Sequence, residues 1–208
     1  MFGLRRHRDE SDPAADLRRG APAPLVTVRV DAPLSERTLG RREIGFDSLG
    51  HLFVPSLLVD QTEAMLRRHG VAGEEGIGIW AGSVAEGDGF ASTLVMPAVT
   101  AHGALHGELA AETIAAVVSR LDDLDLVALA QIHSHPREAY LSSIDRERPA
   151  LAVPGFLSIV IPNFGFVDLA EVGNWAAYEY RGREAWHELD RAERLERLVV
   201  DPSLLVIR

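Results

Sequence analysis

The chain has 208 residues, enough for one domain with a sizeable core but short for two. Acidic side chains outnumber basic ones by 31 to 21, and the net charge of −10 disfavours nucleic acid as a partner, since phosphates require clustered Lys and Arg. The absence of cysteine excludes disulfides and thiolate-bound metals, so any metal must be held by His, Asp or Glu. The sequence contains no apolar run near the roughly 20 residues that span a bilayer and no apolar stretch of a signal peptide at its start, so we expect a cytoplasmic protein that does not contact a membrane.

The chain divides into three expected segments. Residues 1–23 mix charges of both signs with Pro, Ala and Gly and have no periodic apolar face, which predicts a flexible tail. Residues 24–51 are an expected N-terminal β extension, because PLVTVRVDAP alternates valines with polar residues at the period of a half-buried strand. Residues 52–208 contain the remaining periodic apolar segments and are the expected folded domain.

The patterns within this domain predict a mixture of helices and strands. A strand at GHLFV precedes a helix between Pro55 and His69, which Gly70 is expected to end. GIGIWAG and ASTLVMPAV are short apolar strands around the turn-rich VAEGDGF, and GELAAETIAAVVSRLDDL has the apolar stripe of a helix. Two buried strands, a hairpin turned at Arg181 and Gly182, and a late strand then follow, with the sequences LVALAQIH, FLSIVIPNF, NWAAYEY paired with REAWHEL, and LLVIR. The predicted fold class is therefore α/β in the α+β sense, a mixed β-sheet flanked by helices.

The segment QIHSHPREAYLSSID carries the clearest chemical signal. His133 and His135 stand at i and i+2 near the end of a predicted strand and project to the same side, so both imidazoles can share one metal ion. Ten residues beyond His135, Asp145 can turn back and supply a carboxylate oxygen. Two imidazoles and one carboxylate, with an open position for water, are typical of a catalytic zinc site rather than a closed structural one.

Each part of this segment also has a purely structural interpretation. An isolated H-x-H is common at strand edges, and S-x-x-D is a helix capping box with Ser142 as the N-cap and Asp145 at the third helical position. The two patterns occur together here, with Pro136 and Leu141 between them, and the combination favours a metal site.

Other conspicuous residues have simpler interpretations. His102 and His106 precede a helix and are expected to be solvated loop residues, although they could line a cleft. Trp80 is expected in the core. Packing also suffices to explain the aromatic residues of the closing hairpin, which are Trp175, Tyr178, Tyr180 and Trp186.

The motif residues resemble the signature of the JAMM (MPN-plus) metalloprotease family, which runs H-[ST]-H-P, a short loop and L-S-x-x-D. This chain reads HSHP, then REAY, then LSSID. The upstream family element E-x-x-G-[LI]-x-x-G is matched by EGIGIWAG, from Glu75 to Gly82. The resemblance covers roughly residues 52–180 and implies a JAB/MPN, cytidine-deaminase-like catalytic domain at 52–208. It also implies one zinc ion with a bound water, held by His133, His135 and Asp145.

The loop before Ser142 departs from the family pattern, because it is one residue shorter than is usual. Shifting the match to Ser143 would restore the loop length but would put Arg146 at the position of the ligand Asp145. We therefore interpret the departure as a deletion within the loop that leaves Ser142 and Asp145 in their roles. The shape of the loop beside the metal stays open.

The resemblance implies roles for two further residues. Glu75 would hydrogen-bond the water at the metal, act as general base, and then deliver the proton to the leaving amine as general acid. Ser142 would donate a hydrogen bond to the tetrahedral oxyanion. Glu74 competes with Glu75 for the base role, but only Glu75 has Gly78 and Gly82 at the family spacing.

The resemblance also implies a substrate class. JAMM proteins of this kind cut peptide or isopeptide bonds at the C-terminal tail of ubiquitin or a ubiquitin-like protein, which enters as an extended strand and would suit an edge strand beside the zinc. The compact chain resembles bacterial members, which accompany ubiquitin-like proteins and their activating and conjugating enzymes. We therefore expect a deubiquitinase-like zinc metalloprotease whose partners are a ubiquitin-like protein or its conjugates, and which performs deconjugation or precursor processing. Two alternatives stay open, a peptidase for the C-terminus of a sulfur-carrier protein and a non-catalytic scaffold of the same fold.

Overall fold

The computed structural model of the chain describes residues 26–30, 48–97, 101–103, 106–183 and 185–202. The predicted tail at 1–23 and the predicted late strand LLVIR lie outside these residues. In chain order the elements are β1 (Val26–Val30), β2 (Leu52–Pro55), α1 (Ser56–Val71), β3 (Ile77–Ala85), β4 (Asp88–Pro97), β5 (Ala101–Gly103), β6 (His106–Glu108), α2 (Ala111–Asp123), β7 (Val127–Ser134), α3 (Ser143–Glu147), β8 (Leu157–Ile161), β9 (Ala176–Tyr180), β10 (Trp186–Glu188), α4 (Arg191–Arg197) and β11 (Leu198–Asp201). Short 3-10 turns occupy Asn163–Gly165 and Val172–Asn174.

One mixed sheet organises the molecule. Its strands run in the order β10-β9-β8-β7-β3-β4-β2-β11, and β1 pairs with β4 beyond the end of β2. The pairs β7–β8, β2–β4, β2–β11 and β1–β4 are parallel, whereas β3–β4, β3–β7, β8–β9 and β9–β10 are antiparallel. The predicted fold class, a mixed sheet flanked by helices, is confirmed.

The two long helices cover opposite faces of this sheet. On one face α1 buries Leu58 and Leu66 in a core cluster that includes Trp80 of β3. On the other face α2 buries Val117 in a second cluster with Ile79 of the same strand. Neighbouring strand residues point to opposite faces, so β3 contributes to both cores. Among the described residues, no helix combines the length and apolar character that membrane crossing requires.

The aromatic residues pack as predicted. Trp80 is buried, its indole N–H donates to the Thr62 hydroxyl, and its ring meets the buried Trp175 edge-on with centroids 5.8 Å apart. Tyr180 is buried in β9, and Trp186 packs edge-on against it from β10 at 5.1 Å. The closing hairpin is therefore an aromatic core element rather than a substrate platform.

Two predicted boundaries were wrong. The helix α1 does not end at Gly70 but continues to Val71. A Cβ atom at Gly70 would lie 2.5 Å from the Phe164 Cβ, so glycine is needed here because another segment packs against the helix. The first hairpin turn is also tighter than predicted, because only Glu86 and Gly87 separate β3 from β4 and both have positive φ.

Three features of the fold were not predicted. Residues 101–103 and 106–108, expected to lie in a loop, form the two-stranded β5–β6 sheet. Near the C-terminus, α4 begins with a capping box formed by Asp190 and Glu193, and β11 adds to the edge of β2 in parallel. The predicted start of the folded domain at residue 52 stays a prediction. Leu49, three residues before it, is buried in the main core.

Candidate metal centre

His133 lies near the C-terminal end of β7, His135 follows directly after the strand, and both side chains are buried. His133 and His135 are only 4% and 6% exposed, and their ring centroids lie 5.0 Å apart. The backbone around His135 continues the pairing beyond the strand, because its N–H donates to the Ile161 carbonyl and its carbonyl accepts from the Phe164 N–H. Strand pairing thus fixes the main chain of both ligands before any metal contributes.

The third predicted ligand, Asp145, is held by the capping box of α3. The Ser142 N–H donates to Asp145 Oδ2 at 2.8 Å, and the Asp145 N–H donates to Ser142 Oγ at 3.2 Å. The same Oδ2 atom lies 3.6 Å from Nε2 of His133 and 3.4 Å from Nε2 of His135. The S-x-x-D segment is therefore both a helix cap and a candidate source of a metal ligand, because the cap holds the Asp145 carboxylate beside the two histidines.

The three side chains fit a single divalent metal ion. Their ligand atoms all lie within 4.8 Å of one another. His133 Nε2 is buried and has no hydrogen-bond partner, a costly arrangement that a bound cation would relieve. Two imidazole nitrogens and one carboxylate oxygen are a donor set that zinc accepts in catalytic sites.

The ionisation of Asp145 suits this role. Burial by itself raises the pKa of the carboxyl group, but the polar contacts with His133, His135 and Ser142 outweigh it and hold the pKa well below its usual range. Asp145 is therefore ionised at neutral pH, as a metal ligand must be.

The side chains of Asp145 and Arg146, which are the alternative matches to the aspartate of the family motif, lie in different surroundings. Arg146 Nε donates to the Leu141 carbonyl, and its guanidinium carbon lies 5.5 Å from the centre of the Tyr178 ring. Arg146 is thus directed to the protein surface near Tyr178, while Asp145 faces the histidines. This placement agrees with a deletion inside the loop and with Ser142 and Asp145 as the matched motif residues.

Glu75 lies just before β3 and is held in place through its neighbour. The Gly76 N–H donates to Ser134 Oγ at 3.0 Å, and the Ser134 N–H donates to the Gly76 carbonyl at 3.0 Å. Ser134 stands between the two histidines in sequence, is fully buried, and directs its hydroxyl to the Gly76 backbone. It therefore ties the strand of the ligands to the segment that carries Glu75, a contact that the sequence pattern did not predict.

The environment of Glu75 raises its pKa to about 7. Burial is the largest cause, His135 opposes it, and the nearby charge of Asp145 adds to it. A carboxyl group that titrates near neutral pH can both accept and donate a proton there. Glu74 is placed differently, because its carboxylate lies 3.5 Å from His69 Nδ1 on a partly exposed surface.

Two cavities meet at the ligands, and Glu75 lines both. The first has a volume of about 260 Å³ and is lined by Glu75, Gly76, Ile77, Leu109, Gln131, His133, Ile144, Asp145, Glu147, Arg148 and Ala150. The second has a volume of about 360 Å³ and is lined by Glu75, His135, Pro136, Arg137, Glu138, Tyr140 and Ser142. The predicted general acid and base and the predicted oxyanion donor thus both face space beside the ligands.

Sequence reasoning did not single out Gln131 and Tyr140. Tyr140 is 52% exposed, and its ring meets His135 edge-on at 5.0 Å in the second cavity. Gln131 precedes His133 by two residues on the same strand, so the alternation rule that paired the histidines also identifies it. No comparable signal marks Tyr140, whose position depends on the shape of the short loop.

The chain is similar in sequence to a probable metalloprotease from a bacterium. No family model matches the chain. It is 32% identical over 144 residues to the probable metalloprotease y4jG of Sinorhizobium fredii (strain NBRC 101917 / NGR234), a match that covers 67% of this chain and 87% of that protein.

Solved structures that are similar to the chain include two with lower sequence identity. Protein DSY2949 of Desulfitobacterium hafniense has a TM-score of 0.54 and 15% identity, covering 74% of this chain and 94% of that one. A JAB1/MPN domain protein from Archaeoglobus fulgidus has a TM-score of 0.39 and 13% identity, covering 74% of this chain and 100% of that one. The Desulfitobacterium structure supports the fold, whereas the Sinorhizobium relative supports a family. With its His-His-Asp group and this relative, the chain belongs to the family of the Sinorhizobium probable metalloprotease.

Proposed function

We propose that the chain is a zinc-dependent JAMM-type peptidase or isopeptidase. The observation that carries the proposal is the buried, unpartnered Nε2 atom of His133, which faces the ionised Asp145 beside His135. In a scaffold protein that binds no metal, this atom would only destabilise the fold, because a buried polar group without a hydrogen bond costs free energy. Glu75 and Ser142, which line the cavities beside these residues, then supply the remaining chemistry.

The protein groups have distinct roles in the proposed reaction. A zinc ion held by His133, His135 and Asp145 would polarise the scissile carbonyl and activate water. Glu75 takes a proton from the attacking water and passes it to the leaving amine, for which a pKa of about 7 is well suited. The Ser142 hydroxyl accepts from the Asp145 N–H, so its own hydrogen is left to donate to the developing oxyanion.

The two cavities support a substrate that extends on both sides of the bond that is cut. One cavity continues past His133 towards Leu109 and Ala150, and the other continues past His135 towards Tyr140. A chain segment lying across the ligands would occupy both cavities, with Glu75 at their junction. We propose that this segment is the tail of a ubiquitin-like protein joined to its target or to a precursor extension.

The expected docking edge is not on the main sheet. The strands at the ligands, β3, β7 and β8, each have a neighbour on both sides. The separate β5–β6 sheet ends at Glu108, immediately before Leu109 in the wall of the first cavity. Its backbone is the edge we propose for pairing with an extended tail.

Replacing Glu75 tests the catalytic proposal, with its neighbour as the matched control. Glu75→Gln should keep the fold and the bound zinc but abolish hydrolysis of a ubiquitin-like fusion with a C-terminal extension, because the amide cannot take the proton. Glu74→Gln, which removes the same charge one residue away, should keep activity. Mass spectrometry of the cleaved fusion and zinc analysis give the two readouts, and undiminished turnover by Glu75→Gln would contradict the role of this residue.

A further inference from the structure

We propose that Gln131 is the positioning residue of His133 and that its side-chain amide exchanges hydrogen-bond partners when His133 binds metal. The inference rests on the metal-binding part of the proposed function and is independent of the substrate. Gln131 is 6% exposed and lines the first cavity together with His133 and Asp145. It contributes no metal ligand of its own.

The amide of Gln131 joins the two parts of the chain that carry the ligands. Its Nε2 atom lies 3.4 Å from His133 Nδ1, on the strand of the histidines. Its Oε1 atom accepts a hydrogen bond of 3.0 Å from the Ala150 N–H. Ala150 follows the end of α3, the helix whose first turn holds Asp145. One buried side chain therefore spans β7 and the segment that follows α3.

The contact with Gln131 restricts which nitrogen of His133 can carry a proton. The Gln131 NH₂ group can only donate, so Nδ1 is the acceptor in this contact, and a neutral imidazole that keeps it has to carry its proton on Nε2, which lies 3.6 Å from Asp145 Oδ2. A ligating Nε2 must carry no proton, so in the metal-bound ring the proton is on Nδ1 instead. A neutral imidazole therefore has to move its proton from Nε2 to Nδ1, by exchange with solvent, before Nε2 can bind metal.

Nδ1 then becomes a donor, and the Gln131 NH₂ group facing it cannot accept. A half-turn of the amide brings Oε1 to Nδ1 and supplies the acceptor that a ligating histidine usually has. The same turn removes the acceptor of the Ala150 N–H. Metal occupancy at His133 is therefore coupled, through Gln131, to the backbone after α3.

Two substitutions separate the hydrogen-bonding role from packing. Gln131→Met keeps a similar length but offers no acceptor, so zinc affinity should fall about 10- to 100-fold while the stoichiometry at saturation stays the same. Gln131→Glu keeps an acceptor and should bind zinc at least as tightly as the wild type. Gln61→Met, the same change in α1, is the matched control and should bind like the wild type. Competition with a chromogenic chelator measures all four affinities.

A second measurement follows the amide itself in the wild-type protein. Zinc addition should move the Ala150 amide resonance in the ¹⁵N spectrum and speed its hydrogen exchange, and the ¹⁵N shifts of His133 should report a proton on Nδ1. Gln131→Met binding zinc like Gln61→Met, or an Ala150 amide unaffected by zinc, would overturn the inference while the metal site stands. Failure of the wild type to bind zinc would instead overturn the metal site and the inference together.

Discussion

The metal centre and the surroundings of Glu179 are both buried polar clusters, and they differ in how completely their own atoms form hydrogen bonds with one another. At the metal centre, His133 Nε2 has no hydrogen-bond partner. Around Glu179 of β9, a carboxylate that is only 2% exposed accepts from Arg197 at 2.9 Å, from Arg181 at 3.4 Å and from the Ser48 hydroxyl. A cluster that satisfies itself needs no ligand to explain it, whereas an incomplete one indicates a site that binds something.

The Glu179 cluster has a structural consequence of its own. Arg197, at the end of α4, also donates to the Leu49 carbonyl at 2.7 Å. The pair therefore joins β9, the C-terminal helix and the segment before β2. Burial by itself raises the pKa of Glu179, but Arg197, Ser48 and Arg181 together lower it below its usual value. This cluster is charged at neutral pH and stabilises the arrangement of the sheet's two ends.

Breaking the satisfied cluster should have the largest effect on stability. Glu179→Ala leaves Arg197 buried without its partner and should lower the free energy of unfolding by about 3 to 5 kcal/mol in a urea titration. The double change Glu179→Met with Arg197→Met should cost clearly less, because no charge is stranded. Zinc bound per folded chain should not change in either variant. A loss below about 1 kcal/mol for Glu179→Ala would mean that the ion pair is not a stabilising contact.

Removing a hydrogen bond beside the metal centre, without changing a candidate ligand, should lower stability less than Glu179→Ala does. It should lower the rate of turnover rather than the affinity for metal. Ser134→Ala removes the acceptor of the buried Gly76 N–H, a loss of about 1 to 3 kcal/mol, and frees the segment carrying Glu75. We expect a lower kcat at nearly unchanged zinc affinity.

Ser158→Ala is the control for this experiment, since Ser158 is also a buried strand serine, on neighbouring β8. Its kcat should stay near that of the wild type. Equal losses of kcat in the two serine variants, or weaker zinc binding by Ser134→Ala, would show that the serine does not act through Glu75.

The smallest expected effect is the pH dependence of the satisfied cluster. The folded-state pKa of Glu179 is lowered, so its contribution is present above the unfolded pKa of about 4.3 and is lost as the pH falls through the folded value. Wild type should exceed Glu179→Gln in stability by about 1.5 kcal/mol at pH 7, and the difference should shrink below about pH 4. Thermal unfolding of both proteins across this range measures it, and a gap that widens in acid would reverse the assigned sign.

The grouping of the three candidate ligands could be predicted from sequence because their geometry is local. His133 and His135 are two residues apart in an extended segment, so their side chains lie on the same side. Asp145 is positioned by a capping box with Ser142, three residues earlier. The loop between them is short enough for a motif to describe. The same locality explains why α4 could have been predicted, since Asp190 and Glu193 have the spacing of a capping box.

The remaining features depend on strand register, which local patterns do not contain. The contact of Ser134 with Gly76 joins residues 58 positions apart and exists because β3 pairs with β7. The position of β11 beside β2 likewise depends on the far end of the chain, and the acceptor role of Gln131 depends on where Ala150 returns. In this protein the sequence therefore predicts the ligands better than it predicts the residues that hold them.

Direct metal analysis tests the central claim, that the incomplete cluster is a metal site. Purified full-length protein is dialysed to equilibrium against zinc, and the metal content of the chain is then measured by mass spectrometry. The wild type and Glu179→Gln should each bind close to one zinc ion per chain, and His133→Ala and Asp145→Ala should bind close to none. A wild type without bound zinc, or ligand variants that retain it, would contradict the account.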